Sequence, residues 1–304
     1  MTHPENFPQM LARELPQVLI RLEEPMSKHT TFRIGGPAEC MAFPKTMEEL
    51  SALLCLAREQ ELPVLLLGGG SNLLAPDEGL RCLVIETRSG LRGLTNPEPG
   101  VLLAQCGVSL AALAAAAAER SLKGLAFAQG IPGTVGGGVF MNAGAYGGEM
   151  VQVVREVDAL SPKDGTVRTV RGDDLHFVYR KSVFMETGEI VLQARFQLEP
   201  GVREEIEAEM EDLARRRREK QPLEFPSAGS AFRRPAQGYA AAMIDEAGLR
   251  GLRVGGAAVS EKHAGFIVNL GGATAKDVLQ LIELVQNRVY ERFGVLLEPE
   301  IRLL

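Results

Sequence analysis

The sequence predicts an α+β protein in two lobes. Three observations carry that prediction: helix-like and strand-like periodicities are mixed along the chain, glycines gather beside apolar runs, and Pro200-Gly201 marks a break ahead of two long helical segments. The length agrees, because 304 residues make one large or two modest domains when a domain runs to about 100–200 residues. A composition of 45% hydrophobic and 24% charged residues supplies a core of ordinary size.

The elements follow from local pattern. Thr46 with Glu49 forms a capping box that opens a helix, and Leu50, Leu53, Leu54 and Ala57 fall on one of its faces. Val64–Leu67 reads as a buried strand running into Gly68-Gly69-Gly70-Ser71-Asn72. Arg81–Ile85 and Val101–Gln105 read as further strands, and Ser109 caps an alanine-rich helix reaching about Arg120. A long glycine-rich stretch, 130–148, comes next. Val157–Leu160 and Val167–Val170 flank Asp164-Gly165, a hairpin signal. Leu192, Ala194, Phe196 and Leu198 alternate with polar residues, as a half-buried strand does. Beyond Pro200-Gly201 lies a charged helix from Glu204 to about Lys220. Its acidic start and basic end suit the helix dipole, and Glu211/Arg215 and Asp212/Arg216 are i,i+4 pairs. Another helix follows Thr274, with Val278, Leu281, Ile282, Val285 and Val289 on one face and Gly294 as its stop, before a last strand, Ile301–Leu304.

The bulk numbers exclude several functions. A net charge of -6 argues against a nucleic-acid partner but leaves room for a local basic pocket for small anions. No run approaches the roughly 20 apolar residues of a membrane helix, and Met1 to Glu14 does not read as a signal peptide. The four cysteines (Cys40, Cys55, Cys82, Cys106) lie apart with no C-x-x-C, which suits buried thiols in a reducing compartment. The four histidines form no H-E-x-x-H, so no metal site is expected, and the cytoplasm is the default location. The oligomeric state is open, a monomer being compatible with the sequence.

Five segments could carry chemistry. Gly68 to Asn72 follows a strand, where successive unhindered N–H groups can form an anion site. It is neither G-x-G-x-x-G nor a Walker loop, and a tight surface turn explains it equally well on its own. Gln129 to Gly148 sets glycines among Ile131, Val135, Val139 and Phe140; backbone donors in an apolar frame suit a ligand with phosphates and a flat ring, the alternative being close packing of elements. Tyr179 to Phe184 places Arg180 near apolar residues, where an exposed arginine at a strand end is the simpler account. Ser230 stands in Ala228-Gly229-Ser230-Ala231-Phe232, which is no hydrolase elbow, and most such serines are turn residues. Glu298-Pro299-Glu300-Ile301-Arg302 sets Glu300 and Arg302 on one strand face; a buried carboxyl there could act as an acid, while an edge-strand charge pair is the common alternative.

Taken in order, the motifs resemble the UDP-N-acetylenolpyruvoylglucosamine reductase family over nearly the whole chain. They are His29 to Gly36, Leu67 to Asn72, Gly130 to Gly137, Asn142 to Gly147, Tyr179-Arg180, Gly229-Ser230-x-Phe232, Ile244 to Gly248, Lys262 to Asn269 and Glu298 to Glu300. The resemblance implies a two-subdomain FAD-binding lobe of the vanillyl-alcohol-oxidase (PCMH) type over 1–200, with subdomains of about 1–87 and 88–200. An α+β substrate-binding domain over 201–297 and a strand at 298–304 returning to the FAD lobe complete it. It implies non-covalent FAD held by Arg33, Gly68, Gly69, Gly70, Ser71, Asn72, Gly130, Ile131, Pro132, Gly133, Thr134, Gly136, Gly137, Asn142 and Gly144.

The implied reaction reduces FAD with NADPH and then uses it to reduce UDP-N-acetylglucosamine enolpyruvate to UDP-N-acetylmuramate, for peptidoglycan. Hydride reaches the terminal vinyl carbon, and charge spreads from the neighbouring carbon into the carboxylate as an enolate. Arg180 matches the arginine that stabilises this charge, Glu300 its protonated acidic partner, and Ser230 the donor of the final proton. Tyr179, Lys220 and Arg302 match substrate-binding positions, Lys220 for phosphate and Arg302 for carboxylate among them. Arg233-Arg234-Pro235 departs from the family's frequent Lys-Asn-Pro, so an asparagine is missing there. The end four residues after Glu300 suits the shorter class without a lid tyrosine, and neither Tyr146 nor Tyr239 is given that part. An FAD oxidase of 2-hydroxy acids or alcohols, favoured by a flavin linked to His29, and a non-catalytic nucleotide-binding module are the competing readings.

Overall fold

The computed structural model describes residues 7–304. Of the segment 1–14, residues 1–6 lie outside the described residues, and Phe7–Glu14 forms the first helix, α1, burying Phe7 and Leu11. The chain divides into two units. One takes the chain to Leu22 with Cys40–Gly69 and Cys82–Arg216; the other takes Glu23–Glu39, Gly70–Arg81 and Arg217–Leu304. The break therefore falls inside a helix and not at Pro200-Gly201, and two short N-terminal segments group with the C-terminal residues. Neither feature leaves a local sequence signal, since a helix carries its period across a unit boundary.

The first unit is built on two sheets. A four-stranded sheet runs in the order Leu19–Pro25, Pro37–Phe43, Leu80–Glu86, Val64–Leu67, and its last pair is parallel. Helix α2, Met47–Glu59, connects into it, with Leu50, Leu53, Leu54 and Ala57 buried as the period predicts. Thr46 Oγ1 accepts the Glu49 N–H at 3.2 Å, but the Glu49 carboxylate accepts the Lys45 N–H at 2.6 Å, so only half of the expected capping box forms. Only Leu67 of Val64–Leu67 is fully buried; the other three are half-buried. The second sheet has five antiparallel strands in the order Val167–Arg171, Val154–Leu160, Ile190–Gln197, Val101–Gln105, Leu94–Glu98. Its hairpin pairs Leu160 with Val167 across the turn, where Gly165 adopts φ 76°. Helix α3, Leu110–Glu119, is capped by Ser109, whose Oγ accepts the Ala112 N–H at 3.1 Å.

The glycine-rich stretch holds a helix that no period announced: α4, Val135–Phe140, with three glycines among six residues. Each glycine costs a helix about 1 kcal/mol against alanine, and packing supplies the reason for keeping two of the three. A Cβ on Gly136 would lie 3.0 Å from Cys106 Cβ, and one on Gly138 3.1 Å from Leu110 Cδ2. A short α5, Phe184–Thr187, and the charged α6, Arg203–Lys220, follow. On α6, Asp212 binds Arg215 at 2.5 Å and Arg216 at 2.7 Å, so the i,i+3 neighbour shares the carboxylate with the i,i+4 one.

In the second unit four antiparallel strands run in the order Ser227–Ser230, Phe266–Asn269, Ala257–Val259, Arg253–Val254. Helix α8, Ala275–Phe293, packs on them, and helix α7, Ala240–Glu246, packs against α8. All five residues foreseen on the apolar face of α8 are buried, and Gly294 ends the helix at φ 67°. Asp77 accepts the Ala275 and Lys276 N–H groups at 2.7 and 3.1 Å, tying the start of α8 to the loop after Leu73–Leu74. The last strand, Arg302–Leu303, pairs in parallel with Leu73–Leu74, and both belong to this unit.

Among the described residues no helix is long and apolar enough to cross a membrane, and no group of three or more His, Cys, Asp or Glu could hold a metal ion. Cys40 and Cys106 are buried, but Cys55 is exposed and Cys82 half-buried, so the expectation of buried thiols holds for two of the four. Burial in apolar surroundings pushes the Cys106 thiol up to about 12.

Candidate functional site

In the first unit the two glycine clusters meet through their backbones. A Cβ on Gly68 would stand 2.3 Å from Thr134 Oγ1, and one on Gly69 would stand 2.7 Å from Gly133 Cα. Such approaches exclude any larger residue. Gly133, at φ 134°, gives its carbonyl to the Leu110 N–H at 3.2 Å, and Thr134 bridges Ser109. The Val135 and Gly136 N–H groups donate to Val108 O and Cys106 O at 2.8 and 2.9 Å, so those two donors serve the fold and not a ligand. Ile131 donates to Ala128 O at 3.1 Å, while Pro132 and Gly137 are exposed and a Cβ on Gly137 would meet open space.

Two buried oxygens of this loop, Thr134 Oγ1 and Gln129 Oε1, have no hydrogen-bond partner. Leaving a buried polar atom unpaired costs about 1–3 kcal/mol. A cradle of glycine backbone with two such oxygens suits a ligand that brings hydroxyl or N–H groups, and FAD, with its ribityl hydroxyls, ring N–H and diphosphate, is such a ligand. Gln129 was not singled out from the sequence, where it is merely the residue before Gly130; nothing in spacing or type sets it apart.

Tyr179 and Arg180 form the tip of a tight turn. Val178 and Lys181 exchange N–H···O bonds of 3.1 Å on either side of it. Arg180 has φ 56°, a left-handed conformation unusual for a side chain with a Cβ. Its guanidinium lies 5.0 Å from the Tyr179 ring centroid, and Nη2 donates to Gly144 O at 3.2 Å. The simpler account, an arginine at a strand end, does not describe it. Asn142 braces the same turn: Nδ2 donates to Val178 O and to Glu149 Oε2, both at 3.1 Å, and Oδ1 accepts the Val151 N–H at 3.0 Å. Through these bonds Asn142 serves the Arg180 turn.

In the second unit a Cβ on Gly70, at φ 58°, would lie 2.0 Å from His29 O, and Gly70 O accepts the Thr31 N–H at 3.0 Å. This packs the Gly70–Asn72 loop onto the His29–Gly36 motif, where Arg33 is exposed at φ 55°. His29 Nε2 lies 3.0 Å from Glu24 Oε1, so that ring is engaged with a buried carboxylate. Ser230 ends the strand Ser227–Ser230 opposite Phe266, after Gly229 at φ 80°. Ala231 O accepts the Glu300 N–H at 2.8 Å, and Phe232 bridges Pro299. The structure thus brings Ser230 and Glu300 onto adjacent segments although 70 positions separate them (230 and 300). Asn72 holds the second segment, with Nδ2 on Glu300 O at 3.1 Å and its own carbonyl on the Arg302 N–H at 3.0 Å. Glu300 is half-buried, less enclosed than the buried carboxyl envisaged. Lys220 is exposed at the end of α6, beside Gln221, whose Oε1 is buried without a partner.

Comparison with known proteins bears on these residues. An FAD binding domain family model matches residues 38–171, and a model of the UDP-N-acetylenolpyruvoylglucosamine reductase C-terminal domain matches 221–304. The UDP-N-acetylenolpyruvoylglucosamine reductase of Syntrophomonas wolfei is 47% identical over 95% of this chain and 96% of its own length. That of Agathobacter rectalis is 49% identical over 99% and 98%. Among solved structures, the UDP-N-acetylenolpyruvylglucosamine reductase of Thermus caldophilus matches 94% of this chain and 98% of its own at 38% identity, with a TM-score of 0.77. The α+β class and the FAD-binding lobe are therefore shared with that enzyme, and the chain belongs to the UDP-N-acetylenolpyruvoylglucosamine reductase family.

Proposed function

We propose that this chain performs the NADPH-dependent, FAD-mediated reduction of UDP-N-acetylglucosamine enolpyruvate to UDP-N-acetylmuramate, in the cytoplasm, for peptidoglycan precursor synthesis. When bound, FAD would supply the redox chemistry, a two-electron carrier between NADPH and the terminal vinyl carbon of the substrate. The glycine backbone at 68–70 and 130–137, with Thr134, Ser71, Asn72 and Arg33, is assigned to holding it, and Gln129 joins that set.

The protein's part in the chemistry is to stabilise an enolate and then protonate it. Arg180 carries the fixed positive charge for the developing carboxylate–enolate, and a preorganised donor of this kind supplies about 2.7–4 kcal/mol to a transition state. Glu300 donates a hydrogen bond to the same charge. Ser230 gives its hydroxyl proton to the carbon next to the carboxylate; an enolate is basic enough to accept it over a short distance. Tyr179, Lys220 and Arg302 are assigned to the sugar nucleotide, with Lys220 on phosphate and Arg302 on carboxylate.

The observation that carries this reading is the hydrogen bond between Ala231 O and the Glu300 N–H. It joins the segment that carries the proposed acid to the residue that follows the proposed proton donor. Glu300→Gln tests the assignment in the FAD-loaded enzyme. Flavin reduction by NADPH should keep its rate while the substrate step slows by up to about 10²–10³-fold, the span for losing one such donor to a developing charge. Equal rates in both steps would remove Glu300 from the mechanism.

A further inference from the structure

The turn between the strands Ala257–Val259 and Phe266–Asn269 is more closely tied than its exposed ends require. Ser260 Oγ accepts the N–H groups of Lys262 and His263 at 3.1 and 3.2 Å. The Ser260 N–H donates to Phe266 O, and the Phe266 N–H to His263 O, both at 2.9 Å. Inside this turn the Gly265 N–H donates to His263 Nδ1 at 3.1 Å. Gly265 O then accepts the Ala231 N–H at 2.8 Å, and Ala231 O accepts the Glu300 N–H at 2.8 Å. One imidazole nitrogen thus begins a run of bonds that passes beside Ser230 and ends on Glu300.

We propose that His263 is a positioning residue for the protonation step: its unprotonated Nδ1 fixes the Gly265 peptide, and through it the strand end that carries Ser230 and the segment that carries Glu300. The proposal rests on the function argued above. His263 touches no substrate in this account; it acts through two peptide groups.

The ring is held for that task. It is half-buried, with its edge against Phe266 at 4.9 Å between centroids and an interplanar angle of 70°. An N–H donated to Nδ1 requires a lone pair there, which leaves any ring proton on Nε2. The charged groups around it are Arg250, Asp245 of α7, and Glu261 and Lys262 of its own turn. Arg250 is paired with Asp245 at 2.5 Å and bound to Glu261 O, and Lys262 Nζ donates to Arg218 O at 2.7 Å. Burial first, and the Arg250 charge after it, hold the ring below its ordinary value of 6.5. The sign is that of a depressed base: the Nδ1 bond is intact above that range and is lost as pH falls through the folded value. The accompanying stability is likewise complete above 6.5 and declines on the acid side.

The test measures both half-reactions of the FAD-loaded enzyme from pH 5 to pH 8, with reduction by NADPH as the internal control. In the wild type, reoxidation by UDP-N-acetylglucosamine enolpyruvate should fall on the acid side relative to that control as the ring protonates, by up to about 10²-fold, the cost of a small misplacement of a reacting group. His263→Asn offers an amide oxygen near the place of Nδ1 and takes up no proton. It should keep the neutral-pH rate within about threefold and lose the acid-side fall. His263→Ala should slow reoxidation about 10–100-fold at every pH while leaving reduction by NADPH unchanged. A His263→Ala enzyme reoxidised at the wild-type rate, or a His263→Asn enzyme with the wild-type acid limb, would overturn the proposal. If His263→Ala does not fold, the His263→Asn profile decides alone. A wild-type flavin that NADPH reduces and the substrate never reoxidises would overturn the proposed function itself.

Discussion

Arg180 holds a left-handed backbone at φ 56° for which an L-residue gives up about 1–2 kcal/mol. Val178, Lys181, Asn142 and Gly144 together hold it there, and strain so braced marks a side chain whose direction matters. Arg180→Gly separates the two effects. Glycine accepts the conformation without cost, so the thermal midpoint should stay level or rise. The substrate half-reaction should slow about 10²–10³-fold. Stopped-flow reoxidation with a thermal melt on the same sample checks both; lost stability without a slower substrate step would make Arg180 a structural residue only. The sequence showed Arg180 as a family match and as an ordinary strand-end arginine; its positive φ belongs to the Val178–Lys181 turn, and the bracing of that turn by Asn142 and Gly144, 36 to 38 positions before Arg180, is what no local pattern encodes.

At the scale of the element, what could be read from the sequence was what local periodicity encodes. The Thr46 cap of α2 and the Asp164-Gly165 turn are short local signals and the apolar face of α8 repeats every 3.6 residues; all three stand, although the reciprocal Glu49 bond of the α2 capping box goes to the Lys45 N–H instead. Helix α4 could not be read that way, because glycine leaves no apolar period; its helix exists where Cys106 and Leu110 approach within 3.0 and 3.1 Å of absent Cβ atoms. The candidate site was legible as segments and ordered motifs, among which Gln129 and His263 fall; the parts these two play were not, since they lie in an orphaned oxygen and a distant peptide. Thr134 gives the element its own prediction. Thr134→Val keeps the shape and removes a buried hydroxyl that has no partner in the protein. The FAD-free protein should therefore gain up to about 1–3 kcal/mol in denaturant unfolding, while FAD binds more weakly. A variant that is less stable without FAD and binds it as before would show that the hydroxyl serves the fold.

At the scale of the molecule, the two units draw on discontinuous stretches, so a boundary drawn along the sequence at 200 separates residues that fold together. The thiols report on this packing without reference to catalysis. Cys106, buried and raised to about 12, and the buried Cys40 should stay silent toward a disulfide reagent at pH 8, while Cys55 reacts at once and Cys82 more slowly. Prompt reaction of all four in the native protein would contradict the packing around α2 and α4.

The central claim is that one protein takes electrons from NADPH into a flavin and delivers them to an enolpyruvyl sugar nucleotide. An anaerobic two-step titration of the purified, FAD-loaded protein tests it most directly. NADPH should bleach the flavin, and UDP-N-acetylglucosamine enolpyruvate added next should restore its colour promptly. Bleaching that this substrate fails to reverse, or a protein that binds no flavin, would contradict the account.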